Sequence, residues 1–220
     1  MSKVIPTKPL LILLYGFPGA GKTYFARQLT EHLQAAHIQG DRIRGELFQK
    51  PQYDKEENQV ITQLMDYMTE QFLDAGISVV YDTNAFRASQ RRQLRDMARK
   101  SGAHCLLVWL QIDHESAIAR ATKRDRRRSD DKFAMPIDRS IFDRIGSGMQ
   151  NPLTTEDHVV ISGKHTFNTQ LSAFMKRLRE LGLASSGQTA SKLVRPGLVN
   201  LVPNPTAGRV DMSRRNIVIR

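Results

Sequence analysis

The order of hydrophobic and polar positions predicts a chain in which buried strands alternate with helices. Apolar runs of strand length occupy residues 10–15, a short step near Ile38, and residues 77–81, 105–110 and 158–161. Apolar residues three and four apart predict helices over residues 23–34, 54–76, 89–100 and 167–181, after Asp113, and from Pro136 to about Met149. Unbroken apolar runs are typical of strands that are buried on both faces. Their alternation with helices requires crossover connections, so we expect an α/β fold with a mainly parallel sheet.

Length and composition agree with one domain followed by a tail. The chain has 220 residues, of which 40% are hydrophobic and 25% charged, and this excludes a wholly disordered chain. We expect the domain to cover residues 1–183. Residues 184–208 are rich in Ser, Thr, Gly, Pro and Asn without a helical period, so residues 184–220 are predicted to form a basic linker or tail. Residues 216–220 have β-propensity and could add an edge strand.

Charge and cysteine content narrow the class of protein. The net charge is +11, and residues 184–220 contribute six basic side chains against one acidic one. Anionic partners such as nucleotides or nucleic acid are therefore favoured, with improved solubility as the alternative explanation. A single cysteine excludes disulfide scaffolds, multi-cysteine zinc sites and CxxC redox chemistry. No apolar run near the N-terminus is long enough to span a bilayer, so we expect a cytoplasmic protein without a membrane partner; the oligomeric state stays open.

Residues 16–23 match the P-loop pattern GxxxxGK[ST] between a predicted strand and a predicted helix. Glycine lets the backbone turn its N–H groups towards phosphate oxygens, and the start of the helix adds a positive dipole end. Lys22 is expected to reach the β- and γ-phosphates of ATP, and the Thr23 hydroxyl to hold Mg²⁺. The residues predicted to bind the nucleotide in this loop are Gly16, Gly19, Ala20, Gly21, Lys22 and Thr23.

Two carboxylates follow apolar runs, where a parallel sheet binds its ligands. Asp41 could deprotonate an acceptor hydroxyl while Arg44 positions an anionic group, or it could cap a short helix that begins at the next residue. Asp82 is placed like a Walker B acid that binds Mg²⁺, with Asn84 and Arg87 available to the substrate. The alternative for this second stretch is ordinary turn chemistry.

Arginines form two further groups. Arg87, Arg91, Arg95 and Arg99 recur every four residues, and we favour a solvated helix face, helped by pairing of Asp96 with Arg92 or Lys100, over a stripe that contacts phosphate. The second group is the dense basic cluster at residues 120–128, which is followed by a polar stretch and Pro136. We interpret residues 120–136 as an arginine-bearing lid rather than a generic basic patch, with Arg120 and Arg124 near the nucleotide.

The combination resembles the kinase domain of phage-type polynucleotide 5′-kinases over about residues 10–180. The P-loop, the pair Asp41 and Arg44, the Asp-Thr-Asn stretch at Asp82, and the pair Arg120 and Arg124 carry the likeness. It implies an adenylate-kinase-like parallel sheet with helices on both faces. Asp41 then matches the general base that activates the 5′-hydroxyl, Arg44 the contact to the acceptor phosphate, Arg124 the lid arginine on the donor phosphates, and Arg120 a second lid arginine.

Departures from this family leave the acceptor open. The family often has two adjacent acids at the base position, whereas Asp41 stands between Gly40 and Arg42. No DxDx[TV]-type nucleophile stretch occurs after residue 180, so we expect no fused phosphatase domain. The same superfamily includes zeta-toxin-like and chloramphenicol-phosphotransferase-like enzymes. We expect an ATP- and Mg²⁺-dependent kinase in which Lys22, Asp41 and Arg124 are catalytic, acting on the 5′-hydroxyl of a nucleic-acid end. The alternatives are a small-molecule or nucleotide-sugar kinase, and an ATP-binding nucleic-acid module whose catalysis is weak or lost.

Overall fold

A five-stranded parallel sheet forms the centre of the computed structural model, which describes residues 3–124 and 132–184. The strands are β1 (Leu10–Tyr15), β2 (Ala35–Gln39), β3 (Ser78–Asn84), β4 (His104–Gln111) and β5 (His158–Ser162). Their order is β2-β3-β1-β4-β5, and every neighbouring pair is parallel. The predicted α/β class and the five predicted strand positions are confirmed.

Seven helices connect and flank the strands in the described residues. They are α1 (Lys22–His32), α2 (Gly40–Leu47), α3 (Lys55–Asp74), α4 (Ala88–Lys100), α5 (His114–Thr122), α6 (Arg139–Ser147) and α7 (Phe167–Glu180). Asp54, Asp113 and Asp138 each accept a hydrogen bond from a backbone N–H in the first turn of the helix that follows. A side-chain oxygen at this position satisfies a donor that the helix itself leaves unpaired. Asp54 and Asp113 stand where the hydrophobic pattern places the starts of two helices, and both helices are confirmed.

Every residue of β1 is buried, which shows that the core extends over both faces of the sheet. Leu11, Leu13 and Tyr15 belong to the cluster that packs against α3 and α4, through residues that include Met65 and Leu94. Since side chains alternate along a strand, the other three residues of β1 point to the opposite face. There α1 and α7 meet through the rings of Phe25 and Phe174, whose centroids are 6.0 Å apart. Helices therefore cover both faces, as predicted.

The strand that carries Asp82 is longer than its apolar run. The pattern predicts a strand over residues 77–81 followed by a loop, whereas β3 continues through Asp82 to Asn84. Pairing with both neighbours explains the extension, because Gln39 of β2 lies opposite Asp82 and Leu14 of β1 opposite Asn84. The turn interpretation of this stretch is wrong, and its side chains are held by the rigid edge of the sheet.

The arginine stripe on α4 is a solvated face only at its ends, Arg87 and Arg99, and not at its centre. The Arg91 side chain is only 1% exposed and pairs with Glu156 through two hydrogen bonds of 3.0 Å each. Its remaining donors go to the carbonyl groups of Ala85, Gln150 and Asn151, and Arg95 joins Glu156 at 2.6 Å. Asp96 pairs with Arg99, not with Arg92 or Lys100.

Several expectations concern residues outside the described ranges. Residues 125–131 of the predicted lid and residues 185–220, which include the predicted edge strand, belong to this group. The boundary predicted at 183/184 therefore stays a prediction. Within the described ranges, no helix is both long and apolar enough to cross a membrane.

Candidate active site

The P-loop joins β1 to α1 with backbone conformations that only glycine adopts readily. Gly19 and Gly21 have φ angles of +83° and +92°, and Gly21 is the N-cap of α1. A Cβ at Gly19 would run into the carbonyl oxygen of Ala117 in α5. The glycines of the motif therefore serve both the turn and the close approach of α5, and they leave the loop N–H groups at a helix N-terminus suited to phosphate.

Lys22 lies inside this loop. Its Nζ atom donates hydrogen bonds of 2.9 Å to the carbonyl oxygens of Gly16 and Phe17. Burial and the nearby Arg124 guanidinium lower the pKa of Lys22 to about 8, although the Asp82 and Asp41 carboxylates oppose this change. The ammonium group is thus held against the loop backbone, close enough to Arg124, Asp82 and Asp41 to interact with their charges.

Thr23 and Asp82 form an oxygen-rich corner beside the loop. The Thr23 hydroxyl donates to Asp82 Oδ1 at 3.2 Å, and Asp82 is only 5% exposed. Hydroxyl and carboxylate oxygens are the ligands that Mg²⁺ prefers. The described residues contain no group of three His, Cys, Asp or Glu side chains that could enclose a metal. This corner fits Mg²⁺, which usually binds through one or two protein ligands with water and substrate phosphates completing its shell.

Asp41 lines the same cleft from α2. It is the second residue of the helix, whose N-cap is Gln39 without a side-chain hydrogen bond, so the prediction that Asp41 caps a helix beginning at the next residue is wrong. Burial and the neighbouring Asp82 carboxylate raise the pKa of Asp41, against the influence of Arg124, Arg44 and Lys22. A carboxylate whose pKa is raised accepts a proton more readily, which suits a general base.

Arg44 also lines the cleft, but its terminal nitrogens are bound to the protein. One donates to Glu57 at 2.7 Å and the other to Asn58 at 2.5 Å, while the guanidinium lies 4.9 Å from the centre of the Tyr53 ring. Nε is buried and has no hydrogen-bond partner. Arg44 therefore ties α2 to the start of α3, and both of its terminal nitrogens are engaged there.

The cleft at the carboxyl ends of the strands has a volume of about 880 Å³. It brings together most of the sequence-predicted site residues, namely Gly19, Gly21, Lys22, Thr23, Asp41, Arg44, Asp82, Asn84, Arg120 and Arg124. Gly16 and Ala20 belong to the same loop but are buried and do not line the cleft. Arg87 does not line the cleft, since it is exposed and rests on the ring of Phe86, 5.4 Å from the ring centre.

Sequence analysis missed one wall of the cleft. Ile137, Ile141 and Ile145 line it together with Met135 and Phe86, while the adjacent Phe142 packs beneath Phe17. Arg144, on the same helix, lines the cleft too, and its guanidinium makes no hydrogen bond or ion pair within the described ranges. The four-residue spacing of the isoleucines after Pro136 is the signal that could have found this wall.

The parts of the predicted lid that the structure describes contact the body of the domain at two places. At its start, Arg120 donates to the carbonyl oxygen of Gly163 at 3.0 Å, and Arg124 lies in the cleft. At its end, Phe133 packs against Gly45 of α2. Residues 120–124 and 132–136 therefore both contribute to the lining of the cleft.

Comparison with known families agrees with this architecture. A family model described as AAA domain matches residues 11–152. The chain belongs to this AAA domain family. The match runs from β1 through α6 and includes the P-loop, Asp41, Asp82 and both lid arginines. No curated protein matches the sequence of this AAA domain protein.

Solved structures share the fold of this AAA domain protein at low sequence identity. A gluconokinase from Sinorhizobium meliloti is 17% identical, with a TM-score of 0.57 over 79% of this chain and 93% of that chain. The APS kinase of Mycobacterium tuberculosis, in complex with AMPPNP and APS, is 18% identical, with a TM-score of 0.56 over 79% and 99%. Kti12 from Chaetomium thermophilum, in complex with ADP-AlF3, is 18% identical, with a TM-score of 0.59 over 80% and 99%. At these identities, the likeness shows the fold.

Proposed function

We propose that this protein is a kinase that transfers the γ-phosphoryl group of ATP to a hydroxyl group. The observation that carries the proposal is the meeting of three groups in one cleft: Lys22 in the P-loop, the pair of Thr23 and Asp82, and the Asp41 carboxylate. A P-loop holds the donor, but a transferase also needs a base for its acceptor. Asp41, with its raised pKa, supplies that base from α2, in the same cleft as the phosphate loop.

The chemistry follows from these positions. Asp41 takes the proton of the acceptor hydroxyl while the hydroxyl oxygen attacks the γ-phosphorus. The bond between the γ-phosphorus and the bridging oxygen breaks, and ADP leaves with that oxygen. Lys22 and Arg124 offset the negative charge on the moving phosphoryl group. Thr23 and Asp82 would hold Mg²⁺, which supplies charge neutralisation at the phosphates when it is bound. The solved structures of the same fold include proteins named as kinases, which supports this class of reaction.

We further propose that the acceptor is the 5′-hydroxyl of a nucleic-acid end. The apolar wall of Ile137, Ile141 and Ile145 suits a flat base, and the Arg144 guanidinium beside it suits a phosphate. A free polyol would require a denser set of hydrogen-bonding side chains than this wall offers. The net charge of +11 favours a polyanionic acceptor as well.

A small hydroxyl compound is the second candidate acceptor. Arg44, which the family resemblance assigns to the acceptor phosphate, has both terminal nitrogens bound to Glu57 and Asn58. The solved neighbours named as gluconokinase and APS kinase also favour this candidate. In that case the acceptor would need no phosphate next to its reacting hydroxyl.

Transfer of the γ-phosphate of labelled ATP separates the two candidates. The acceptors to compare are short DNA and RNA oligonucleotides with a 5′-hydroxyl, the same oligonucleotides with a 5′-phosphate, and a panel of sugars and nucleosides. Labelling that requires a free 5′-hydroxyl supports the nucleic-acid acceptor, and Ile145→Asp should then weaken it. Labelling of small compounds alone supports the second candidate. No labelling by wild type in any arm, with ATP bound, contradicts a kinase.

A further inference from the structure

His37 is a neighbour of Asp82 to which the reaction described above assigns no contribution. Its Nε2 atom lies 2.9 Å from Asp82 Oδ2, while Asp82 Oδ1 accepts from the Thr23 hydroxyl at 3.2 Å. Because a carboxylate oxygen can only accept, Nε2 is the donor. The two oxygens of Asp82 therefore have separate partners, one on the P-loop side and one on the side of β2.

The strand pairing fixes this arrangement. β2 pairs with β3 so that His37 lies opposite Val80 and Gln39 opposite Asp82. His37 thus stands two residues before the partner of Asp82 and on the same face of the sheet. Backbone pairing holds both residues, so the bond to His37 restrains the carboxylate without depending on a flexible loop.

A restrained carboxylate differs from a free one in what it offers a cation. Rotation about χ2 would exchange the two oxygens or turn both away from Thr23. A hydrogen bond to Oδ2 removes that freedom and leaves Oδ1 facing the hydroxyl. Partners outside the coordination shell of a metal commonly act in this way on the ligands they touch.

We propose that His37 is a positioning residue that orients the Asp82 carboxylate for the Mg²⁺ of the bound nucleotide. This inference rests on the proposed function, since it needs a nucleotide with Mg²⁺ in the P-loop. It assigns to His37 a donor function and not a packing function. The side chain is 20% exposed, and an apolar residue of similar size would fill the same space between β2 and the cleft.

Two substitutions separate orientation from packing. His37→Leu keeps the bulk but removes the donor. His37→Gln keeps a donor, because the Gln Nε2 atom is as many bonds from Cβ as the histidine Nε2 atom. The measurement is calorimetric titration of the full-length chain with ADP, with and without Mg²⁺. The readout is the factor by which Mg²⁺ tightens ADP binding, together with the affinity for ADP alone.

We expect His37→Leu to reduce that factor by about 10-fold and His37→Gln to restore it to within about 3-fold of wild type. Affinity for ADP without Mg²⁺ should be the same in all three proteins, because His37 is not among the residues that line the cleft. In an Asp82→Asn background, His37→Leu should have no further effect, since its action passes through the carboxylate.

Three results would overturn the assignment. One is an unchanged Mg²⁺ factor in His37→Leu. Another is an equal loss in the Leu and Gln variants, which would make His37 a general structural residue. The third is an additive loss in the Asp82→Asn background. Failure of the proposed function is distinguishable from all of these, because it would appear in the transfer assay as wild type that binds ATP without labelling any acceptor.

Discussion

Phe133 lies against Gly45 so closely that a Cβ at position 45 would come within 2.6 Å of the Phe133 ring. Gly45 is one turn of α2 beyond Asp41, and Phe133 lies near the C-terminal end of residues 120–136, the stretch that we interpret as a lid. The end of that stretch therefore rests on the helix that carries the candidate base. A change at this contact should therefore affect the KM for the acceptor more than the affinity for ATP.

Gly45→Ala tests the contact through a double-mutant cycle. Alanine in place of a helical glycine normally stabilises by about 1 kcal/mol. In wild type, the new methyl group must displace the Phe133 ring, so we expect no gain in stability and a raised KM for the acceptor. In a Phe133→Ala background, the full gain of about 1 kcal/mol should return. Urea unfolding of the four proteins measures the cycle, and equal gains in both backgrounds would contradict the contact.

Asp41→Asn should bind ATP but lose about 10²–10⁴-fold in transfer rate, because no group then takes the proton of the acceptor. In wild type, transfer should rise with pH through the pKa of Asp41, which burial and Asp82 raise above that of an ordinary aspartate. The acid limb of the pH–rate profile should therefore lie above pH ~4 and be absent from the residual activity of Asp41→Asn. Unchanged turnover in this variant would remove Asp41 from the mechanism.

The same substitution should stabilise the fold at neutral pH. A carboxyl whose pKa is raised by folding is costly to ionise in the folded state, and this cost is present above the unfolded pKa of ~3.9. Asp41→Asn removes that cost, so its unfolding free energy should exceed that of wild type at pH 7. Below the unfolded pKa, Asp41 is protonated in both the folded and the unfolded wild-type protein. The difference in unfolding free energy between wild type and Asp41→Asn that arises from ionisation should then vanish. Urea titrations at several pH values measure the difference.

Nucleotide binding should take up protons at alkaline pH. Burial and Arg124 lower the pKa of Lys22 to about 8, and phosphate oxygens beside the ammonium group should raise it again. Between pH ~8 and ~10 the free protein is mostly neutral at Lys22 and the complex mostly charged, so uptake should approach one proton at pH ~9. Below pH ~7 both forms are charged and uptake should largely vanish. Calorimetry with ADP in buffers of different ionisation enthalpy measures this uptake, and a pH-independent value would contradict it.

Loss of Arg91 should be costly although it touches no ligand in the proposed mechanism. Arg91→Met leaves the Glu156 carboxylate, which is 4% exposed, with Arg95 as its remaining cationic partner. Removing one member of a buried ion pair typically costs about 3–5 kcal/mol. The double variant Arg91→Met with Glu156→Leu should lose less than the sum of the two single changes. Chemical unfolding measures these terms, and additivity would show that the two residues are not coupled.

What the sequence predicts well is local. The strand β1 is an unbroken apolar run, and the P-loop is a contiguous motif in which lysine and threonine have fixed places. Asp41 and Asp82 could be located because polar residues directly after apolar runs meet at one edge of a parallel sheet. The caps of α3 and α5 follow from the same kind of short-range pattern.

The hydrophobic pattern could not predict contacts between residues that are far apart in the sequence. Arg91 has the spacing of a surface stripe, and no nearby residue indicates its partner Glu156, which lies beyond one strand and two helices. Arg44 lines the cleft together with Asp41 as expected, but it forms an ion pair with Glu57 of the next helix. His37 carries no motif at all, and its contact with Asp82 appears only once β2 is paired with β3.

The central position of β1 has a consequence for how the protein is made. Leu11 pairs with Val79 on one side and with Cys105 on the other, so the first strand to be synthesised must wait for two strands that emerge much later. Such long-range pairing slows folding, and the hydrophobic surface of the unfinished chain stays exposed to solvent until the later strands are made. A nascent polypeptide that stops before β4 would carry the whole phosphate loop and still be unable to grip a triphosphate.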